Sequence, residues 1–216
     1  MADAIHYETF KSGSKTYFNS SVFFPRDVRE DVFVLYGFVR VADNYVDQVP
    51  QDAAGFYEFR RAYHEALDGK PSGRVIIDSY VELAERHNFP DSWTEAFLHS
   101  MEMDLSKKRH LTIQESLEYI YGSAEVIGLF MAKLMALPED AYPAAQMLGR
   151  AMQYINFIRD IAEDNELGRT YLPLSETTLP DLTEESAREN PEEFNAFLAA
   201  QLERYRIWQS EAEEGY

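Results

Sequence analysis

Three pairs of aspartates in this 216-residue chain are spaced four residues apart, which would place both carboxylates of a pair on one face of a helix, one turn apart. The pairs are Asp27/Asp31, Asp43/Asp47 and Asp160/Asp164. Because 14 aspartates placed at random in this length give about one such pair, spacing alone is weak evidence for a metal site. The residues around each pair therefore have to decide which of them could bind a ligand.

The second pair continues a polar line along its helix. At about 100° per residue, Arg40, Asp43 and Asp47 all fall within roughly 40° of Tyr36. The first of the three pairs points to nearly the opposite side of the same helix, so we expect it to be a surface pair without ligand-binding function.

The third pair also extends a polar line, because Gln153, Asn156, Asp160 and Asp164 fall within about 40° of one direction along their helix. Two helices that each offer two carboxylates could bind hard divalent cations through oxygen atoms alone. Mg²⁺ fits this chemistry, since proteins hold it with one or two carboxylates plus substrate phosphates. From spacing alone, a Mg²⁺-diphosphate site and an ordinary charged helix face both remain open.

Other metal and hydrolase sites lack the residues they need. A di-iron carboxylate bundle uses Glu-x-x-His, and no histidine here has a glutamate three residues before it. The chain has no cysteine, which excludes thiolate metal sites and disulfides, and it has no nucleophile elbow.

Composition restricts the partners and the location. With 38 acidic and 20 basic residues and a net charge of −18, the chain lacks the basic surface that nucleic acids require. The first 15 residues do not resemble a secretory signal, and no apolar run approaches the ~20 residues of a membrane-spanning helix. We therefore expect a cytoplasmic protein that does not bind nucleic acid and that contacts membranes at most peripherally.

The chain is predicted to be all-α, because apolar residues recur at helical spacing and no stretch alternates with period two. One helix is expected from Pro25 to about Asp47. The stretch 116–137 is apolar on nearly all sides and predicts one buried helix, and another is expected from about Glu139 through Asp164. Pro191 begins a last helix with an apolar stripe from Phe194 to Trp208.

Four segments together resemble the squalene/phytoene synthase family. Residues 36–47 resemble its first aspartate-rich motif, and residues 153–173, ending in Gly-Arg-Thr-Tyr-Leu-Pro, resemble its second. Residues 119–128 resemble its tyrosine-containing central helix, and residues 101–105 its Met-Asp-Leu element. The resemblance extends over roughly residues 12–205, with the motifs in the family's order.

The resemblance implies a single isoprenoid-synthase domain over residues 1–216, an all-α bundle around a central apolar cavity. Family members continue beyond the length of this chain, so the last C-terminal helices of the family are expected to be missing. The stripe from Phe194 to Trp208 would then leave an exposed apolar groove. We expect such a groove to cause homodimerisation or membrane contact, or to accept a longer C-terminus.

The resemblance also implies roles for individual residues. Asp43, Asp47, Asp160 and Asp164 would carry catalysis by binding Mg²⁺-diphosphate, with Asn156 as a further metal ligand and Mn²⁺ as an alternative ion. Tyr119 would lie near a cationic intermediate, where an aromatic face attracts positive charge, although packing in the core is an alternative role. The implied substrate-binding residues are Ser14, Lys15, Arg40, Gln153, Asn156, Arg159, Arg169 and Tyr171.

The implied reaction joins two prenyl diphosphates head to head through a cyclopropylcarbinyl diphosphate, most simply geranylgeranyl diphosphate to phytoene. Squalene or dehydrosqualene synthesis from farnesyl diphosphate is the nearest alternative, and NADPH is implied only for squalene. A head-to-tail prenyltransferase or terpene cyclase is disfavoured because Asn44 and Asp160 break the motifs of those enzymes. A non-catalytic lipid-binding or assembly relative is the third alternative.

Glu125 departs from the family's pattern, which commonly has glycine at this position of the central helix. A buried carboxylate without a partner costs several kcal/mol or takes up a proton. We therefore expect Glu125 to lie on a helix face turned away from the hydrocarbon substrate.

Overall fold

The computed structural model describes residues 4–215, and in this range the chain is helical and contains no β-strand. An isolated bridge joins Arg109 and Thr170. The prediction of an all-α protein is therefore confirmed.

Twelve α-helices are found among the described residues. They are α1 (Ala4–Gly13), α2 (Lys15–Ser20), α3 (Arg26–Asp47), α4 (Ala53–Leu67), α5 (Val75–His87), α6 (Asp91–Ser106), α7 (Ile113–Ile120), α8 (Val126–Leu134), α9 (Tyr142–Arg159), α10 (Ile161–Glu166), α11 (Glu184–Glu189) and α12 (Pro191–Glu213).

The helices form two compact units. The first consists of the chain up to Ser92 together with Lys133–Leu137, and the second of Trp93–Ala132 together with the chain from Pro138 onward. The first aspartate-rich motif lies in the first unit and the second motif in the second unit.

Helix α3 is the centre of the first unit. Pro25 precedes its first turn, and Asp27 lies in that turn, where the positive end of the helix dipole favours a carboxylate. The helix ends at Asp47, as predicted, because Gln48 is extended. It packs against α1, α4 and α5, and Phe38 stacks on Tyr80 with ring centroids 3.8 Å apart.

Asp31 corrects the prediction of a surface pair. Its side chain is buried, with Nη2 of Arg86 2.7 Å from Oδ1 and Nε2 of His87 2.7 Å from Oδ2. The prediction fails because the end of α5 packs against this side of α3, whereas Asp27 is exposed as expected.

The sequence predicted one continuous helix over residues 116–137, but the structure interrupts it. A π-helical turn at Tyr121–Glu125 separates α7 from α8, and α8 ends at Leu134. Within this turn, a side chain at Gly122 would collide with the carbonyl oxygen of Ala96 on α6. The turn therefore lies against the backbone of α6, which only glycine permits at this position.

The helix predicted from Glu139 through Asp164 is also interrupted. A 3₁₀ turn at Glu139–Ala141 precedes α9, and Asp160 has φ −100° and ψ 15°, which ends α9 and separates it from α10. Beyond α10, Gly168 adopts a left-handed conformation with φ +68°. This conformation lets the chain reverse after the second aspartate motif.

Helix α12 begins at Pro191, as predicted, and packs along α9. Phe197 is buried in the core of the second unit, and the ring of Trp208 lies 4.9 Å from that of Tyr154. The stripe from Phe194 to Trp208 packs against a core that includes Tyr154 and Phe157 of α9, so the stripe itself is not the exposed groove that we expected. That the family's last helices are missing stays a prediction.

Within residues 4–215, no helix has both the length and the apolar character that crossing a membrane would require.

Candidate active site

The first aspartate motif forms a polar face near the C-terminal end of α3. Nη1 of Arg40 donates a hydrogen bond to Oδ2 of Asp43 at 2.7 Å, so the two residues predicted to share a face are in contact. Asp47 follows one turn later, at an exposed position at the end of the helix. Burial raises the pKa of Tyr36, and the positive charge of Arg40 opposes that rise. This face therefore combines a guanidinium with two carboxylates.

The corner between α1 and α2 passes over this face. A side chain at Gly13 would collide with the hydroxyl of Tyr36, so the backbone of the corner lies directly against that residue. Ser14 caps α2 by accepting a hydrogen bond from the backbone N–H of Tyr17 at 3.3 Å, and Lys15 is exposed in the first turn. The predicted residues Ser14 and Lys15 are thus placed beside the Tyr36 end of the motif.

The second aspartate motif lies where α9 ends and α10 begins, in the second unit. The Nε and Nη2 atoms of Arg159 donate to the two carboxylate oxygens of Asp160, each at 2.6 Å, in a bidentate ion pair. The backbone of the interrupted helix continues through this point, since the N–H of Asp160 donates to the carbonyl of Asn156 and the N–H of Asp164 to the carbonyl of Asp160, both at 2.8 Å. Gln153 precedes them on α9 and is half-buried.

The segment after α10 returns to the second motif. The backbone N–H of Arg169 donates to the carbonyl of Asp164 at 2.8 Å. A small cavity beside this contact is lined by Asp164, Arg169, Tyr171 and Phe157, among others. The structure therefore brings three of the predicted site residues, Asp164, Arg169 and Tyr171, around one cavity.

Tyr119 and Tyr171 meet at a residue to which the sequence analysis gave no role. Asp104 on α6 is 2% exposed and accepts hydrogen bonds from the hydroxyls of Tyr119, at 2.7 Å, and Tyr171, at 2.6 Å. The Met-Asp-Leu element pointed to this aspartate, but no periodicity argument could show that tyrosines 15 and 67 residues away contact it.

His110 packs against the same tyrosines. Its ring centroid lies 5.6 Å from that of Tyr119 and 5.3 Å from that of Tyr171, and its Nδ1 lies 2.9 Å from the carbonyl oxygen of Glu115. Burial lowers the pKa of His110, and the hydrogen bond to the carbonyl opposes this shift. A neutral imidazole that donates from Nδ1 fits this environment.

Glu125, the residue that departs from the family's pattern, is buried with partners. Its carboxylate accepts hydrogen bonds from Nε of Arg150 and from the side-chain amide of Gln146, both at 2.6 Å. The carboxylate therefore forms a buried ion pair with Arg150 on α9. That this face of the helix is turned away from the hydrocarbon substrate stays a prediction.

The aspartate pairs suit Mg²⁺ by donor chemistry. Among residues 4–215, no three histidine, aspartate or glutamate side chains are grouped so that they alone could hold a metal ion. Mg²⁺ does not need such a group, because it keeps waters and is typically bound by one or two carboxylates and substrate phosphates. Each motif offers two carboxylates one turn apart, and in each motif the first carboxylate is paired with an arginine.

Comparisons with known proteins identify relatives of this chain. A protein of Paracoccus sp. named 15-cis-phytoene synthase is 29% identical over 176 residues, which are 77% of this chain and 58% of that protein. A phytoene synthase of Thermus thermophilus is 34% identical over 170 residues, which are 76% of this chain and 56% of that protein. The chain thus spans less than two thirds of the length of these relatives.

A crystal structure of a squalene synthase from Alicyclobacillus acidocaldarius has the same fold, with a TM-score of 0.84 over 98% of this chain and 81% of that protein at 19% identity. The family model described as squalene/phytoene synthase matches residues 10–216. Because this family model matches nearly the whole sequence, the chain belongs to the squalene/phytoene synthase family.

Proposed function

We propose that this chain carries the active site of a head-to-head prenyl synthase that converts two molecules of geranylgeranyl diphosphate into phytoene. The observation that carries the proposal is the presence of both aspartate motifs in a chain whose curated relatives, described above, are named phytoene synthase. One substrate would lose its diphosphate to form an allylic cation, which the double bond of the other would attack. Loss of a proton gives the cyclopropylcarbinyl diphosphate, and a second ionisation, rearrangement and proton loss give phytoene.

The aspartates would bind the leaving group. Asp43 and Asp47 on one helix, and Asp160 and Asp164 with Asn156 in the other motif, would hold Mg²⁺, or Mn²⁺ in its place. When bound, this ion would supply the positive charge that stabilises a departing diphosphate.

The paired arginines would share in diphosphate binding. Arg40 and Arg159 each contact the first aspartate of a motif, and both side chains remain partly exposed. Each motif therefore has a guanidinium group that can donate several hydrogen bonds to phosphate oxygens. Ser14 and Lys15 at the α1–α2 corner, and Gln153 on α9, would complete the polar contacts.

Tyr119 would stabilise positive charge on the hydrocarbon. Its ring lies 5.9 Å from that of Phe157, in a region that contains mostly apolar side chains and would exclude water. Arg169 and Tyr171 would connect this region to the cavity at Asp164, since both side chains line that cavity.

Product analysis tests the proposal directly. Purified protein is incubated with geranylgeranyl or farnesyl diphosphate, with Mg²⁺ or with EDTA, and with or without NADPH, and the hydrocarbons are identified by mass spectrometry. We expect phytoene from the C20 substrate with Mg²⁺ alone. Squalene formed only with NADPH, or dehydrosqualene from the C15 substrate, would identify the chain with the nearest alternative.

Absence of any hydrocarbon product, in a preparation that is folded by circular dichroism and binds prenyl diphosphate, would contradict the proposal. That result would favour the third alternative, a relative that binds isoprenoid lipids or other proteins without catalysis. The Mn²⁺ substitution is a further arm, because an oxygen-only site should accept Mn²⁺ in place of Mg²⁺.

A further inference from the structure

A buried carboxylate holds two tyrosine hydroxyls in the second unit. The side chain of Asp104 is 3% exposed, and its two oxygens accept separately, Oδ2 from Tyr119 at 2.7 Å and Oδ1 from Tyr171 at 2.6 Å. Each of these distances is in the range of a strong hydrogen bond from a hydroxyl to a charged acceptor. Asp104 therefore fixes the direction in which both phenolic protons point.

The surroundings of Asp104 offer hydrogen-bond donors and a positive charge. Both tyrosines donate to it, and Nε of Arg169, on a side chain 5% exposed, lies 3.9 Å from Oδ1. Burial, together with the negative charge of Asp104, raises the pKa of both Tyr119 and Tyr171, so both remain phenols. Two accepted hydrogen bonds and a nearby guanidinium are the surroundings that stabilise a buried negative charge.

The two phenols belong to a cluster of three rings, Tyr119, Phe157 and Tyr171, which we call the aromatic trio. Phe157 and Tyr171 stack almost parallel, with centroids 4.6 Å apart and an angle of 7°, and Tyr119 lies 4.8 Å from Tyr171. Phe157 and Tyr171 also line the cavity that contains Asp164. The trio thus connects the second aspartate motif with the buried carboxylate.

We propose that Asp104 is a positioning residue that makes the aromatic trio a stabiliser of positive charge during the reaction. By accepting a hydrogen bond from each phenol, it directs the hydroxyls away from the substrate and increases the electron density on the phenol oxygens and rings. Electron-rich aromatic faces attract cations. The inference rests on the proposed function, because it needs a cationic intermediate for the trio to stabilise.

A purely structural role for Asp104 makes different predictions. If the carboxylate only anchors α6 to the rest of the second unit, its loss lowers stability and leaves the turnover of the folded protein unchanged. If it acts through the tyrosines, turnover of folded protein falls, and the effect disappears when the hydroxyls are removed. The test therefore needs a spectroscopic readout of the two phenols. It also needs the effect of Asp104→Asn on turnover to be compared between the wild type and a protein that lacks both hydroxyls.

The spectroscopic readout is the NMR signal of tyrosine ¹³Cζ, which responds to hydrogen bonding of the phenol. Tyrosine labelled at this carbon is incorporated, and the signals of Tyr119 and Tyr171 are assigned with Tyr119→Phe and Tyr171→Phe. Asp104→Asn keeps the shape of the side chain but removes the charge, and its amide can accept from only one of the two hydroxyls at Oδ1. We expect both signals to move in Asp104→Asn and neither to move in Asp31→Asn, which removes a buried paired carboxylate in the other unit.

The kinetic readout is product formation under conditions where each variant is folded. We expect kcat of Asp104→Asn to fall about tenfold, with KM for the prenyl diphosphate within about twofold, because the trio would act on the cation and not on the bound substrate. In the Tyr119→Phe/Tyr171→Phe background, which has no phenolic proton to accept, Asp104→Asn should change kcat less than about twofold.

Wild-type kcat in Asp104→Asn, an equal fall in the double-Phe background, or unmoved ¹³Cζ signals would each overturn the inference. If Asp104→Asn does not fold, the inference is tested with the single variants Tyr119→Phe and Tyr171→Phe. A wild-type kcat in both of these variants would also overturn the inference. A wild-type protein that forms no hydrocarbon would refute the proposed function, and the inference with it. Wild-type turnover that Asp104→Asn leaves unchanged would refute the inference alone.

Discussion

Arg150 on α9 forms an ion pair with Glu125 in the π-helical turn, with Nε of the arginine 2.6 Å from Oε1 of the glutamate. The guanidinium also lies over the ring of Trp208, 5.5 Å from its centroid, so one side chain joins the turn to α12. The carboxylate of Glu125 is 2% exposed, whereas Arg150 keeps 25% of its exposure. Burial beside a charged partner explains how this turn accommodates an acidic side chain.

Glu125→Gln should lower the free energy of unfolding by about 2 kcal/mol. Breaking a fully buried pair costs roughly 3–5 kcal/mol, and the partial exposure of Arg150 reduces this loss because water can solvate the freed guanidinium. Urea unfolding of the single and double variants of Glu125→Gln and Arg150→Gln measures the coupling, which we expect to reach about 1 kcal/mol.

The control for this pair is Glu184→Gln, which removes the acid of the exposed Arg188–Glu184 pair. It should change stability by less than about 0.5 kcal/mol. Additive effects of the two substitutions at Glu125 and Arg150 would mean that their contact contributes nothing and that Glu125 is retained for another reason.

Asp31 and Asp27 form a matched pair for a second prediction, because they lie one turn apart on α3 in different environments. Asp31→Asn removes a carboxylate bound by Arg86 and His87 and should destabilise the protein by about 2 kcal/mol. Asp27→Asn, at an exposed position, should cost less than about 1 kcal/mol. Equal midpoints of urea unfolding for the two variants would show that the buried pair adds no stability.

The same pair of aspartates shows how far the sequence could predict the fold. Periodicity predicted the bounds of α3 and placed Asp27 and Asp31 on the opposite side of the helix from Arg40, Asp43 and Asp47. It could not tell that this other side of the helix is buried, because Arg86 and His87 are 55 and 56 residues away in the chain. Partners so distant are set by tertiary packing, which local patterns do not encode.

The interruptions of the helices were missed for a different reason. A π turn adds one residue to a helical turn, and in the stretch 116–137 nearly every position is apolar, so no change of face marks the insertion. The polar line through Asp160 was predicted for one continuous helix, and the sequence has no glycine or proline there to signal the break after Arg159. The role of Asp104 was missed because a single buried acid has no periodic signal.

A third prediction concerns pH and His110. Because burial lowers the pKa of this histidine below its usual value near 6.5, the native state binds fewer protons than the unfolded chain. Its contribution to stability is complete above the usual pKa and is lost as the pH falls through the lowered value. Thermal unfolding at pH 7.5 and 5.5 should therefore show a smaller decrease in Tm for His110→Gln than for the wild type.

The control for pH is His99→Gln, since His99 is exposed and lies beside Glu102 and Glu118. This variant should show the same decrease in Tm as the wild type. A wild-type pH dependence in His110→Gln would show that His110 has the same pKa in the folded and unfolded states, against the direction expected from its burial.

The last prediction separates ligand binding from folding at the aspartate motifs. Asp43→Asn and Asp160→Asn each remove a carboxylate that is paired with an arginine at a partly exposed position, and such pairs contribute about 0–1 kcal/mol to stability. Tm should therefore change by only a few degrees. Turnover should fall at least about a hundredfold, because the charge that organises diphosphate departure acts mainly in the transition state.

Asp27→Asn is the matched control and should leave turnover unchanged. Binding of Mn²⁺, followed by electron paramagnetic resonance in the presence of diphosphate, should weaken in both motif variants and not in the control. Retention of activity within about threefold of wild type in Asp43→Asn or Asp160→Asn would show that the affected ion pair is structural and that the metal, if any, is bound elsewhere.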